Sequence, residues 1–135
     1  MTEKSHTGKL EVADKAHGLV LSVYKATASF PSYEQFGLIS QMRRAAVSIP
    51  ANLYEGKARG SDIELCRYIR IARGSLAELR YFLILANDLD YLSKVGFTAL
   101  ESQAEEVARM MGALLEKVLR EVAARSKKHA RSPKS

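Results

Sequence analysis

Apolar residues recur at intervals of four and three over most of this chain, and that spacing constrains the fold more than any other feature. Val12, Ala16, Leu19, Val23, Ala26 and Phe30 form one series, and Leu38, Met42, Ala45, Ile49 and Leu53 a second. Leu65, Ile69, Ala72, Leu76, Leu79, Leu83 and Ala86 form a third; Leu100, Ala104, Val107, Met111, Leu114 and Val118 form a fourth. Each series falls on one side of an α-helix. No alternating β-branched run bounded by hairpin dipeptides competes with this reading. Four amphipathic helices with short links predict an all-α fold, an antiparallel up-down-up-down four-helix bundle whose helices cross at a shallow angle. A chain of 135 residues fits one such domain and is long enough to bury a real core.

Local signals set the expected boundaries. The first helix spans about residues 9–28 and stops before Phe30-Pro31. Ser32 with Gln35 resembles a capping box opening the second helix, which reaches Gly56 and Gly60. Pro50 lies inside it, so either a kink near Ile49 or a break into two helices is expected. Ser61 with Glu64 caps the third helix. The fourth starts between Ser93 and Thr98, the latter paired with Glu101. A second seam accompanies the third helix: Tyr68, Ile71, Ser75, Glu78, Phe82, Leu85 and Leu89. Two seams imply burial against more than one neighbour.

Charge is unevenly placed. Lys117, Arg120, Arg125, Lys127, Lys128, Arg131 and Lys134 face a single acid, Glu121, and so account for the whole +6 of the protein. Residues 1–116 hold fourteen charges of each sign. Residues 126–135 lack large apolar groups and are expected to be a basic disordered tail; residues 1–8 are likewise expected to be disordered, leaving 9–125 as the bundle. The polar start predicts no signal peptide, and no apolar run reaches the roughly 18 residues of a membrane span, so a cytoplasmic protein is expected. A single Cys excludes an internal disulfide.

Little of this resembles catalytic chemistry. The three histidines, His6, His17 and His129, make no Glu-x-x-His pair, so a di-metal bundle site is not expected. There is no phosphate-binding glycine loop and no nucleophile elbow. Cys66 adjoins a core seam and reads as a small buried apolar residue. No enzyme activity and no cofactor are expected.

Two polar sets stand out. On the second helix Arg44, Ser48, Asn52 and Glu55 share an arc of about 80° beside the apolar face. Ser75 and Glu78 occupy the second seam of the third helix, where a buried carboxylate needs a partner, and Arg44 is the natural one. A hydrogen-bond network that fixes helix register or a subunit contact is the favoured reading; a polar ligand pocket is the other. On the third helix Arg67, Arg70, Arg73 and Arg80 cover about 140° opposite its first seam, with Tyr81 among them. Such arginines suit phosphate contacts, although on one helix alone an ordinary solvated face is the better expectation.

The segment FPSYEQFGLISQMRRAAVSIPANLYEG and the following RGSDIELCRYIRIARGSLAEL resemble the four-helix-bundle proteins encoded in intervening sequences of bacterial 23S ribosomal RNA genes, sometimes labelled S23 ribosomal proteins. LEVADKAHGLV and Tyr24 also match, so the resemblance covers roughly residues 10–120. Ala13 stands where that family often has Trp, and Tyr54 replaces a usual Ala. The resemblance implies assembly as a cyclic homopentamer and no established molecular role. A similar bundle accompanies diversity-generating retroelements, where a basic pentamer binds nucleic acid and a reverse transcriptase; that likeness is one of fold.

The leading functional expectation is a non-enzymatic, oligomeric bundle that binds RNA or DNA through phosphates. Arg67, Arg70, Arg73 and Arg80 would carry it, with Lys127, Lys128 and Arg131 of the tail. The alternative is a scaffold or adaptor for a protein partner without nucleic-acid binding. A small-ligand pocket lined by Arg44, Asn52, Glu55 and Glu78 ranks third.

Overall fold

A computed structural model describes residues 10–131; the expectation for residues 1–8 and the last four residues of the expected tail lie outside them. Four α-helices and a short 3₁₀ turn make up the described chain, with no strand among those residues: α1 (Glu11–Thr27), the turn (Ser32–Glu34), α2 (Leu38–Ala58), α3 (Asp62–Asp88) and α4 (Lys94–Arg131). Packing joins α1 to α2, α2 to α3, α3 to α4 and α4 back to α1, with little or no contact across the diagonals. That closed ring of sequential neighbours is the arrangement of an up-down-up-down four-helix bundle.

The apolar series predict the core closely. Every member of the third series is buried, as are all five of the second. In the fourth, the structure buries Leu115 in place of Leu114. A strict alternation of three and four drifts off an α-helix of about 3.6 residues per turn, so a long helix takes an extra four-residue step.

Helix ends follow local chemistry, with two corrections. The Ser61 hydroxyl accepts from the Glu64 N–H at 3.1 Å, as the capping box predicts. Ser32 caps nothing; it begins the 3₁₀ turn, and the second helix starts only at Leu38. There the Glu34 carboxylate reaches forward and accepts from the Leu38 N–H at 3.0 Å, supplying the acceptor at the N-terminus. The last cap is Ser93, whose hydroxyl accepts from the Gly96 N–H at 3.0 Å; Thr98 lies inside α4.

The α2 helix runs unbroken through Pro50, so the two-helix alternative is not what the chain adopts. Gly56 does not end α2 but lies buried within it, where a Cβ would come 2.7 Å from the Tyr68 Cβ of α3. Gly60, with φ of +83°, is the residue that lets the chain reverse into α3. The α3–α4 turn uses Asp90 at φ of +64° for the same purpose, closed by the Tyr91 N–H bonding to the Ala86 carbonyl at 2.9 Å.

The fourth helix differs from expectation at its end. It continues as helix to Arg131 where a disordered tail was expected from 126. Arg125 pairs with Asp62 at the start of α3, and Ser126 and His129 border one groove with Gly60, Ser61 and Ile63, so the last turns of α4 run beside the α2–α3 turn.

Candidate functional site

The polar residues between α2 and α3 form two clusters. In the first, the Ser48 and Ser75 hydroxyls share a hydrogen bond of 2.7 Å across the helix pair. The Asn52 amide then donates to the Ser48 carbonyl at 2.8 Å and to its hydroxyl at 2.9 Å. In the second, Arg59 donates to Glu55 at 2.9 Å and to the Tyr68 hydroxyl at 2.7 Å, and its guanidinium sits 5.1 Å from the Tyr68 ring centroid. The Arg59 hydrogen bond holds the Glu55 carboxyl below its ordinary pKa, and Glu55 in turn raises that of Arg59. Arg67 adds a second cation 5.0 Å from the Tyr68 ring and pairs with Glu64 at 3.3 Å.

The row read from the sequence is therefore split. Ser48, Asn52 and Ser75 meet; Glu55 joins Arg59 instead of Glu78. The Arg44–Glu78 pair does not form: both side chains are exposed. The expected second seam of α3 is only partly buried: Leu85 and Phe82 pack partly exposed against the core. Tyr68 is buried and Ser75 partly so, whereas Ile71 is 41% exposed and Glu78 and Leu89 face solvent. Glu78 is thus a solvated carboxylate that needs no buried counter-charge.

The arginine face of α3 is also divided. The Arg80 guanidinium binds Glu101 of α4, with one bond of 3.0 Å from Nε, and Glu105 at 3.1 Å. Those bonds, the Glu101 ones foremost, raise its pKa and leave two carboxylates around one cation, which is no place for a phosphate. Arg70 and Arg73 are exposed and make no ion pair among the described residues. The Asp62–Arg125 contact places the start of α3 and the C-terminal part of α4 at one end of the bundle; Arg67 and Arg70 lie about 8 and 12 Å along α3 from Asp62, and Lys127 and Lys128 follow Arg125 on α4. Lys127 and Lys128 are exposed; Arg131 is the last residue of α4.

Two clusters at the opposite end had no periodic signal. Arg43 donates from Nε to Thr27 Oγ1 at 2.9 Å and from Nη2 to the Tyr24 carbonyl at 3.2 Å, its guanidinium 4.4 Å from the Tyr24 ring centroid. Tyr91 donates to Glu34 at 2.9 Å beside the Tyr33 hydroxyl; its bond to Tyr33, partial burial and Glu34 together raise its pKa. Among the described residues no group of three His, Cys, Asp or Glu is placed to hold a metal ion, and Cys66 is a buried free thiol. No described helix is long and apolar enough to cross a membrane.

A family model described as "23S rRNA-intervening sequence protein" matches residues 8–113. No curated protein matches the chain. Among solved structures, the chain is similar to a crystal structure of a protein with unknown function from the S23 ribosomal protein family of Bacteroides thetaiotaomicron VPI-5482. The two are 20% identical, the match covers 77% of this chain and 97% of that one, and the TM-score is 0.69, a likeness of fold.

Proposed function

The chain belongs to the 23S rRNA-intervening sequence protein family, and from that premise we propose a non-enzymatic, self-assembling bundle that binds RNA or DNA through phosphates along the first half of α3 and at the end of α4. The observation that carries this reading is the pair of exposed arginines, Arg70 and Arg73, on the first half of α3 and without ion pairs among the described residues; Lys127 and Lys128 stand exposed on the last turns of α4. Arginine without a carboxylate partner keeps its full set of donors for phosphate oxygens. Arg67 contributes in part, since Glu64 already occupies it, and Arg80 drops out of the interface.

Self-assembly is supported by the second half of α3, where Tyr81 and Ile84 are exposed about 12 Å or more along the helix from Arg73. We take the assembly to be the homopentamer that the family resemblance implies, which would repeat the basic end five times about one axis.

Light scattering with and without a mixed-sequence RNA tests both halves of the proposal. A mass of five chains and an affinity falling steeply with salt are expected, with the slope reduced by about one for each of Arg70→Gln and Arg73→Gln. Absence of binding at low salt overturns the phosphate reading. The exposed apolar residues Tyr54 and Ile71 favour the second reading, a scaffold for a protein partner; recovery of one stoichiometric, nuclease-resistant protein in a pull-down is the result that would select it.

A further inference from the structure

A groove of about 620 Å³ lies between the C-terminal part of α1 and the first turns of α2, at the opposite end from the interface proposed above. That volume is in the range of small-ligand sites. No acidic residue lines it, whereas two consecutive arginines, Arg43 and Arg44, do. Arg43 is fixed: Nε donates to Oγ1 of Thr27, a residue 1% exposed whose hydroxyl itself donates to the Val23 carbonyl at 2.8 Å, and Tyr24 holds the guanidinium through its carbonyl and ring. Only two of its five N–H donors are thereby used. Arg44 is exposed and makes no ion pair among the described residues. Phe36, on the rim, is 92% exposed, the largest value of any large apolar side chain described.

We propose that this groove binds a nucleobase together with its phosphate, either as a free nucleotide or as one residue of a single strand. An aromatic ring left almost wholly in water offers a stacking face, and bases stack on such faces with little regard to sequence. The paired arginines supply the counter-charge, Arg43 as a planar, pre-oriented fork and Arg44 as a free cation. Gln35 and Ser40 bring side-chain donors and acceptors to the same walls, suited to a base edge. A double helix is excluded as the occupant, because its bases present no free face to Phe36. An acidic peptide satisfies the arginines but leaves Phe36 without a stacking partner.

The full chain is tested with a fluorescent six-nucleotide RNA containing 4-thiouridine, read by anisotropy and by mapping of photo-crosslinks. Crosslinks at Phe36 or Tyr24 are expected, with binding weakened about tenfold by Phe36→Ala. Arg44→Gln weakens it and lowers the salt slope by about 0.7. Both positions are exposed, and circular dichroism confirms that the variants stay helical. Displacement by uridine monophosphate assigns the site to free nucleotides, and binding of the strand alone assigns it to single-stranded RNA. Crosslinks confined to α3 and α4, wild-type affinity in both variants, or equal competition by the same sequence as a duplex overturns the proposal. Displacement by polyglutamate as effective as by RNA, or a fall in assembly mass with Phe36→Ala, also overturns it, in favour of an acidic partner or a second copy respectively. Replacing Lys127 and Lys128 by Gln should leave the Phe36 effect intact, so failure at the groove and failure at the basic end are separately visible.

Discussion

Tyr68 of α3 stands directly against Gly56 of α2: a Cβ built on the glycine comes 2.7 Å from the tyrosine Cβ and 3.2 Å from Leu65 Cδ1. The two helices are therefore as close at this level as backbone and tyrosine allow. About two helical turns away, the Ser48–Ser75 hydrogen bond crosses the same pair, so small residues and a polar clamp fix one register between α2 and α3.

Gly56→Ala gains roughly 1 kcal/mol of helix propensity yet must push α2 and α3 apart. Overpacking of this kind costs about 1–3 kcal/mol, so the variant is expected to be less stable. A urea unfolding midpoint at or above wild type would show that the helices separate freely here.

Asp90 holds φ of +64°, a conformation that costs most residues about 1–2 kcal/mol and glycine almost nothing. Part of that gain is offset by the greater freedom of glycine in the unfolded chain. Asp90→Gly should therefore stabilise the bundle by about 0.5–1 kcal/mol. Thermal unfolding at neutral pH measures the gain.

Ser75 and Glu78 separate the clamp from the solvated face. Ser75→Ala leaves the Ser48 hydroxyl without its cross-helix partner and should cost about 1 kcal/mol. Glu78→Gln alters an exposed side chain and should stay within about 0.5 kcal/mol of wild type. Equal losses from the two substitutions would mean that Glu78 is buried in solution.

Tyr91 makes stability sensitive to alkali. Its hydroxyl is held above the ordinary tyrosine pKa of 10 by Tyr33, by partial burial and by Glu34, so the folded state resists forming the phenolate. The unfolded chain ionises freely above pH 10, and the contribution present below that pH is lost as pH rises through it toward the folded value. Tyr91→Phe should flatten the decline in unfolding midpoint above pH 10. A variant whose midpoint falls as steeply as wild type there would place the titration elsewhere.

What the sequence discloses is what is local. Ser61 and Glu64 are three residues apart, and the Leu65–Ala86 series needs only helix geometry, so both are legible without a fold. Ser32 carried the same signal as Ser61 and failed, because Ser32–Glu34 forms a 3₁₀ turn and the Glu34 carboxylate, not the Ser32 hydroxyl, accepts from the Leu38 N–H that opens α2. Arg80 looked like its neighbours on the arginine face until α4 brought Glu101, 21 residues away, against it. Arg43 and Thr27 are 16 residues apart across the α1–α2 connection, and no periodicity foretells their bond. Charge and pattern identify which side chains are available; only packing decides which are already spent.

The continuation of α4 beyond Arg125 changes how its lysines meet a partner. A loose tail would sample many positions and lose that freedom on binding, whereas Lys127 and Lys128 stand on a helix whose backbone is already ordered. Preorganisation of this kind lowers the entropic penalty of each contact and gives it a direction.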